Sequence, residues 1–151
     1  MTLISVVIPA YNNATTIAET VESVLDQAID GLELVVADHS STDATVAALA
    51  PYLDRPCVRL LHTEAGGGAA RNWNRVTEAA TGEFVKLVCG DDVLRPGAIA
   101  AQLEAIVSTP TAVMVGGRRD ILDARGEILI AGRGLGDLVG THQGRTAIAA
   151  S

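Results

Sequence analysis

Two adjacent carboxylates, Asp91 and Asp92, follow closely on the apolar run Phe84–Val88. Placed together beyond a buried strand, they repel one another unless a cation or a positive ligand is present. Mg2+ suits such a pair, because it takes one or two protein carboxylates and fills its shell with phosphate oxygens and water. The plainer alternative is that Asp91 and Asp92 only cap the turn into the next helix. Three further groups stand at comparable places. Ala10 and Tyr11 follow the run Leu3–Pro9, Asp38 and His39 follow Leu32–Ala37, and a glycine triplet with Arg71 follows Val58–His62.

Placing these residues requires the elements between them. The chain alternates short β-branched runs with amphipathic stretches. Leu3–Pro9 is almost continuously apolar, as a strand covered on both faces is, and Pro9, which cannot donate to a ladder, is expected to end it. Thr16 and Glu19 make a capping box for a helix reaching about Gln27, with Ile17, Val21, Val24, Leu25 and Ala28 on its apolar stripe. Leu32–Ala37 reads as a second strand, followed by a helix from Thr42 to about Tyr52 whose start Ser41, Thr42 and Asp43 are expected to cap. Val58–His62, a helix from about Ala69 to Ala80, Phe84–Val88 and a helix from Pro96 to near Ser108 complete the series. Four strand–turn–helix units predict an α/β fold with a mostly parallel sheet and helices on both faces. After Pro110 the period changes, and Ala112–Leu122 with Glu127–Ile130 reads as a β-hairpin around Asp123–Gly126. A Gly-rich segment, 131–151, follows.

In an open α/β sheet the ligand crevice lies beyond the carboxyl ends of the strands. The residues that follow the four strands therefore collect on one rim. A ring to stack on, acceptors for a base or ribose, and charge for a pyrophosphate are what a nucleoside diphosphate needs. The triplet Gly66-Gly67-Gly68 is not GxGxxG and does not follow the first strand, which disfavours a dinucleotide fingerprint. Its plain role is a flexible helix entry, as a solvated helix face is for Arg71 and half-buried packing is for Tyr11. Asn72, Trp73 and Asn74 are expected to shape and pack their helix.

At 151 residues and 48% hydrophobic, with a formal net charge of −7, the chain reads as one soluble globular domain. Ten arginines, a lone Lys86 and no basic run make it a poor nucleic-acid binder. Cys57 and Cys89 fit no zinc spacing, and the first apolar run is too short for a signal peptide or a membrane span. A cytoplasmic location is expected.

The segments ISVVIPAYNNATTIAETVESVLDQ, LELVVADHSSTDAT, GGGAARNWN and GEFVKLVCGDD, in this order, resemble the N-terminal half of family 2 inverting glycosyltransferases over about residues 3–107. The resemblance implies a GT-A fold, a Rossmann-like sheet that binds a nucleotide-diphosphate sugar, usually UDP-linked, with Mg2+ or Mn2+. Matched by position, Pro9, Ala10 and Tyr11 pack against the nucleobase, Asp38 opens the second acidic turn, and Arg71 contacts the nucleotide. His39 stands where the family often has an Asp facing uracil, and Cys89 stands at the first position of the acidic Asp-x-Asp-type motif. The metal contact falls to Asp91, with Asp92 supporting it on the substrate side.

The implied reaction is inverting, metal-dependent sugar transfer to an acceptor that the sequence does not identify, for polysaccharide or glycoconjugate synthesis. Residues 3–130 would form the nucleotide-sugar-binding domain, and 131–151 the start of an acceptor-side region. The general base is expected in a second half beyond this chain, since Asp120, Asp123 and Asp137 match no motif for it and read as hairpin or loop acids. Residues 1–151 alone are then expected to bind nucleotide weakly and transfer sugar poorly. A nucleotide-binding module or degenerate transferase without turnover is the alternative.

Overall fold

The computed structural model describes residues 3–134, 136 and 138–149. Two compact units divide it, Met1–Ala98 and Ile99–Ser151. The first holds β1 (Ile4–Ala10), α1 (Ile17–Leu25), β2 (Leu32–Asp38), α2 (Thr45–Leu49) with a 3-10 turn at Ala50–Tyr52, β3 (Val58–His62), α3 (Gly68–Glu78) and β4 (Phe84–Leu87). Its strands form one sheet in the order β3-β2-β1-β4, and every pairing is parallel.

All seven residues of β1 are buried, which explains its unbroken apolar sequence. On one face Val7, Val35 and Ala37 pack with Val76 of α3. On the other, Ile4, Val6, Ile8 and Ala10 are equally enclosed. Right-handed crossovers put α1 and α2, which lead from β1 to β2 to β3, on one face, and α3, which returns past β1 to β4, on the opposite one. Burying a single Val or Ile of this set contributes about 1.5–3 kcal/mol.

β1 runs one residue past Pro9, to Ala10 opposite Asp38. The reason is directional. The Val7 carbonyl accepts from Val88 N–H on the β4 side. Pro9 faces that same side, beyond Leu87, the last residue of β4 paired with β1. Its missing N–H therefore costs no ladder bond.

The amino end of the sheet is tied by polar groups. Ser5, fully buried, donates to Glu33 Oε2 at 2.5 Å and accepts from Gly82 N–H at 2.8 Å. Thr81 donates its N–H and its hydroxyl to the same Glu33 oxygen, while Arg59 pairs with Glu33 Oε1 at 3.0 Å. Burial raises the Glu33 pKa, but the bonds from Ser5 and Thr81 and the Arg59 charge outweigh it and hold the carboxylate below its ordinary value.

The second unit comprises most of α4 (Ala98–Val107), then β5 (Arg119–Leu122), β6 (Ile128–Arg133) and α5 (Gly144–Ala149). β5 and β6 form the expected antiparallel hairpin. Its first strand starts at Arg119 rather than Ala112. Asp123 fixes the turn, its Oδ1 accepting from Arg125 and Glu127 N–H. Asp120 Oδ1 accepts from Gly132 N–H, and Asp137 lies outside the described residues. None of the described helices is long and apolar enough to cross a membrane.

Candidate functional site

The strand order places a topological switch point between β1 and β4, because the chain leaves β1 toward β2 on one side and reaches β4 on the other. Ligands of open α/β sheets bind at such a point. Here the loops that follow β1, β2, β3 and β4 are joined to one another by named bonds.

The β1 and β2 loops are laced together. Asn12 N–H donates to Ser41 Oγ at 3.0 Å, and Thr42 N–H donates to Asn12 Oδ1 at 2.8 Å. Asn13 N–H reaches Thr45 Oγ1 and Ala14 N–H reaches Asp43 Oδ2. Asn12 and Ser40 take positive φ, 53° and 55°, which the lacing holds in place. Asp43 also accepts from Thr45 N–H and hydroxyl, and the Thr45 bond leads the causes that keep its pKa low. The helix has Ala44 at its N-cap and no side-chain cap bond, so the capping expected of Ser41, Thr42 and Asp43 is absent: Asp43 holds the turn before Thr45, and Ser41 and Thr42 bond Asn12.

Asp38 ends β2 and His39 follows it, and they are 3% and 8% exposed. Asp38 Oδ2 accepts from Ser41 N–H. Its Oδ1 is sealed and has no partner among the described residues. His39 N–H donates to the Ala10 carbonyl at 2.9 Å. The Tyr11 ring, 56% exposed, stands beside the His39 imidazole at 6.3 Å and 67°. Pro9, Ala10, Tyr11, Asp38 and His39 thus share one rim.

Thr63, just past β3, and Asn72, on α3, brace that rim from beneath. Asn72 Nδ2 donates to the carbonyls of Ala37 at 2.9 Å and Ala10 at 3.4 Å. Its Oδ1 lies 3.0 Å from Thr63 Oγ1. Neither residue was singled out for the site from sequence. The available signal was Asn72 on the buried stripe of α3, four residues before Val76. A buried polar side chain on such a stripe is there to be hydrogen-bonded.

The acidic turn is fixed from α1. The Thr16 hydroxyl donates to the Gly90 carbonyl at 2.8 Å, so it closes no capping box and makes no side-chain cap bond. Asn13 Oδ1 accepts from Tyr11 N–H at 2.9 Å. The same oxygen would lie 2.7 Å from a Cβ at Gly90, so a side chain at position 90 would displace Asn13. Asp92 N–H closes the turn onto the Cys89 carbonyl, and both carboxylates are exposed. Burial first, then the charges of Asp92 and Asp91, push the Cys89 thiol up, so it is a neutral thiol at pH 7. Burial lowers the pKa of Lys86 on β4, and Asp92 partly offsets this.

No group of three or more His, Cys, Asp or Glu gathers as a cation cage among the described residues. Two neighbouring carboxylates on a held turn nevertheless fit a cation that takes the rest of its shell from a diphosphate and water.

Arg71 stands apart from these networks. It is exposed in the first turn of α3, folded over Gly67, where a Cβ would fall 2.3 Å from Arg71 Cδ. Gly66, Gly67 and Gly68 have φ of 96°, 79° and 65°. The triplet is therefore a left-handed backbone that other residues rarely adopt, and not merely a loose entry.

The sequence model of a family described as glycosyl transferase family 2 matches residues 5–142. The chain belongs to glycosyl transferase family 2. Glycosyltransferase GlyG of Streptococcus pneumoniae is 32% identical over 115 residues, which are 76% of this chain and 38% of that protein. Among solved structures, S. aureus TarS 1-349 in complex with UDP-GlcNAc superposes with a TM-score of 0.65 at 22% identity, covering 80% of this chain and 40% of that one. The mannosyltransferase PcManGT of Pyrobaculum calidifontis, in complex with GDP-Man and Mn2+, has a TM-score of 0.66 at 26% identity, covering 81% and 36%. The family 2 chain described here thus has a GT-A-type sheet and spans less than half the length of these relatives. Its rim of Tyr11, His39 and Asp91 is the part of that fold where the loops converge.

Proposed function

We propose that this family 2 chain is the donor-binding part of a glycosyltransferase, which moves a sugar from a nucleotide-diphosphate sugar to an acceptor with inversion, in polysaccharide or glycoconjugate synthesis. The observation that carries the reading is the bond from Thr16 to Gly90, which fixes an exposed carboxylate pair across the switch point from the Tyr11 and His39 rim. TarS and PcManGT were solved with UDP-GlcNAc and with GDP-Man and Mn2+, which supports a donor of that class, a UDP-sugar first. In this reading residues 3–130 form the donor domain and 131–151 begin the acceptor side.

Tyr11, with Pro9 and Ala10 behind it, gives the base a surface. Asp38 and His39 supply acceptors for base or ribose, and Arg71 supplies charge toward the nucleotide. Asp91 would hold Mg2+ or Mn2+, supported by Asp92. A bound divalent ion supplies charge neutralisation on the departing diphosphate. Inversion requires one base to deprotonate the acceptor hydroxyl. Asp120 and Asp123 are not assigned that role, because their carboxylates hold the hairpin.

Calorimetric titration with UDP and Mn2+ tests the reading, and saturable, metal-dependent heat is expected. Because the chain spans under half of its relatives, weak binding and poor transfer by residues 1–151 alone are expected, and robust transfer would overturn that part. A second reading, donor binding without turnover, is favoured by Cys89, a thiol at a position the motif gives to a carboxylate. Transfer restored by Cys89→Asp in a full-length relative context would favour it for this chain.

A further inference from the structure

The chain leaves β1 through a bend at Asn12, whose φ is 53°. Beyond it the Asn13 side chain turns back, and its Oδ1 accepts Tyr11 N–H at 2.9 Å. That bond fixes the amide's orientation, because an N–H needs an oxygen to receive it. The backbone of Asn13 is held as well. Its N–H donates to Thr45 Oγ1 at 2.8 Å, and its carbonyl accepts from Thr16 N–H at 3.0 Å and Ile17 N–H at 2.9 Å. Asn13 is thus anchored to the β1 rim, to α1 and to α2.

The same side chain meets the acidic turn. A Cβ at Gly90 would stand 2.7 Å from Asn13 Oδ1, 2.9 Å from its Cγ and 3.4 Å from its Cβ. The Asn13 amide therefore occupies the space that a side chain at position 90 would fill. Thr16 meanwhile holds the Gly90 carbonyl at 2.8 Å. These contacts close a ring that runs from Tyr11 to Asn13, Thr16, Gly90 and back to Asn13. Within it the acidic turn cannot slide along the β1 rim without breaking the Thr16 bond and striking the amide that holds Tyr11. Side chains locked by packing and hydrogen bonds in this way support a site without entering it.

We infer that Asn13 is a positioning residue, interlocked with Gly90, that fixes the distance from the Tyr11 rim to the Asp91 and Asp92 turn. That distance is the span a nucleoside diphosphate with its metal must bridge. The role rests on reading the two ends as one nucleotide site, and within that reading Asn13 need touch no ligand. Gly90 is the other half of the device. Its φ lies outside the left-handed region, so what excludes a side chain there is the Asn13 amide and not the backbone.

Titrations of the 151-residue protein test it, made where urea unfolding shows each variant folded. UMP without metal engages the rim, Mn2+ alone (followed by electron paramagnetic resonance) engages the turn, and UDP with and without Mn2+ spans the two. Asn13→Ala removes the acceptor, and Gly90→Ala drives a Cβ against the amide. Each is expected to leave UMP and Mn2+ binding unchanged. Each is also expected to lower the factor by which Mn2+ strengthens UDP binding by about tenfold, within the range of coupling between linked sites. In the Asn13→Ala background a Cβ at Gly90 meets only the Cβ of residue 13, at the 3.4 Å of ordinary contact. Adding Gly90→Ala there is expected to cost little more. An undiminished Mn2+ factor in Asn13→Ala, or an equal loss from Gly90→Ala in both backgrounds, overturns the positioning role and leaves the nucleotide site standing. UMP weakened as much as UDP also overturns it, since Asn13 would then support the rim alone. A wild type whose UDP binding does not respond to Mn2+ overturns the donor-site reading itself.

Discussion

The hydroxyl of Thr16 and the carbonyl of Gly90 meet at 2.8 Å although 74 positions separate them in the chain. One residue stands at the start of α1 and the other in the acidic turn, so this bond sets where Asp91 and Asp92 stand relative to the β1 rim. Thr16→Val keeps the shape and removes the donor. It is expected to cost about 1 kcal/mol of stability and to weaken metal-dependent nucleotide binding at concentrations where the protein stays folded. Urea unfolding and calorimetry separate the two effects. Unchanged binding in a folded variant would show that the tether does not position the turn.

Asn72 is expected to be a strong determinant of stability. Asn72→Ala strips the Ala37 and Ala10 carbonyls and Thr63 of a partner, a cost of about 1–3 kcal/mol. Asn72→Asp is expected to be worse despite its matching size, because an oxygen replaces Nδ2 opposite two carbonyls. Urea midpoints check the order, and an Asp variant as stable as the wild type would contradict it.

Glu33 gives the protein an acid-sensitive component. Its folded pKa lies below the ordinary value of 4.5. The carboxylate's contribution is therefore fully present above that value and is lost as pH falls through the folded pKa. Glu33→Gln is expected to be less stable at neutral pH and to show a flatter decline below about pH 4.5. Parallel declines in both proteins would place the acid sensitivity elsewhere.

Gly67→Ala is expected to destabilise by about 1 kcal/mol, since φ there is 79°, and to displace Arg71, whose Cδ lies 2.3 Å from the new Cβ. In an Arg71→Ala background the contacts with Cδ and Cγ are gone, while the 3.0 Å contact with Cβ and the backbone strain stay, so a smaller cost is expected. Equal costs in both backgrounds would show that the flexible Arg71 side chain moves aside freely.

The sheet and its rim were legible because their signals are local. The apolar run of β1, buried on both faces, and the position of Asp38 at the end of β2, with His39, Asp91 and Asp92 past their strands, follow from periodicity and strand order. What sequence could not show was the use of polar groups across the chain. Thr16 three residues before Glu19 reads as a capping box, yet a distant carbonyl at Gly90 claims its hydroxyl. Residues 112–118 have strand-like composition but pair with nothing recorded as a strand, since β-propensity reflects neighbours more than the residues themselves. The buried contacts that join His39 to Thr63 and Thr63 to Asn72 span 24 and 9 positions, and a strand carbonyl holds the Asn72 amide.

The most direct measurement is a calorimetric titration of UDP into wild type and Asp91→Ala, each with and without Mn2+. The account predicts saturable binding by the wild type that strengthens with Mn2+, and binding by Asp91→Ala that no longer responds to the metal. An equal Mn2+ response in Asp91→Ala would contradict the assignment of the acidic turn, and with it the reading of this rim as a metal-assisted donor site.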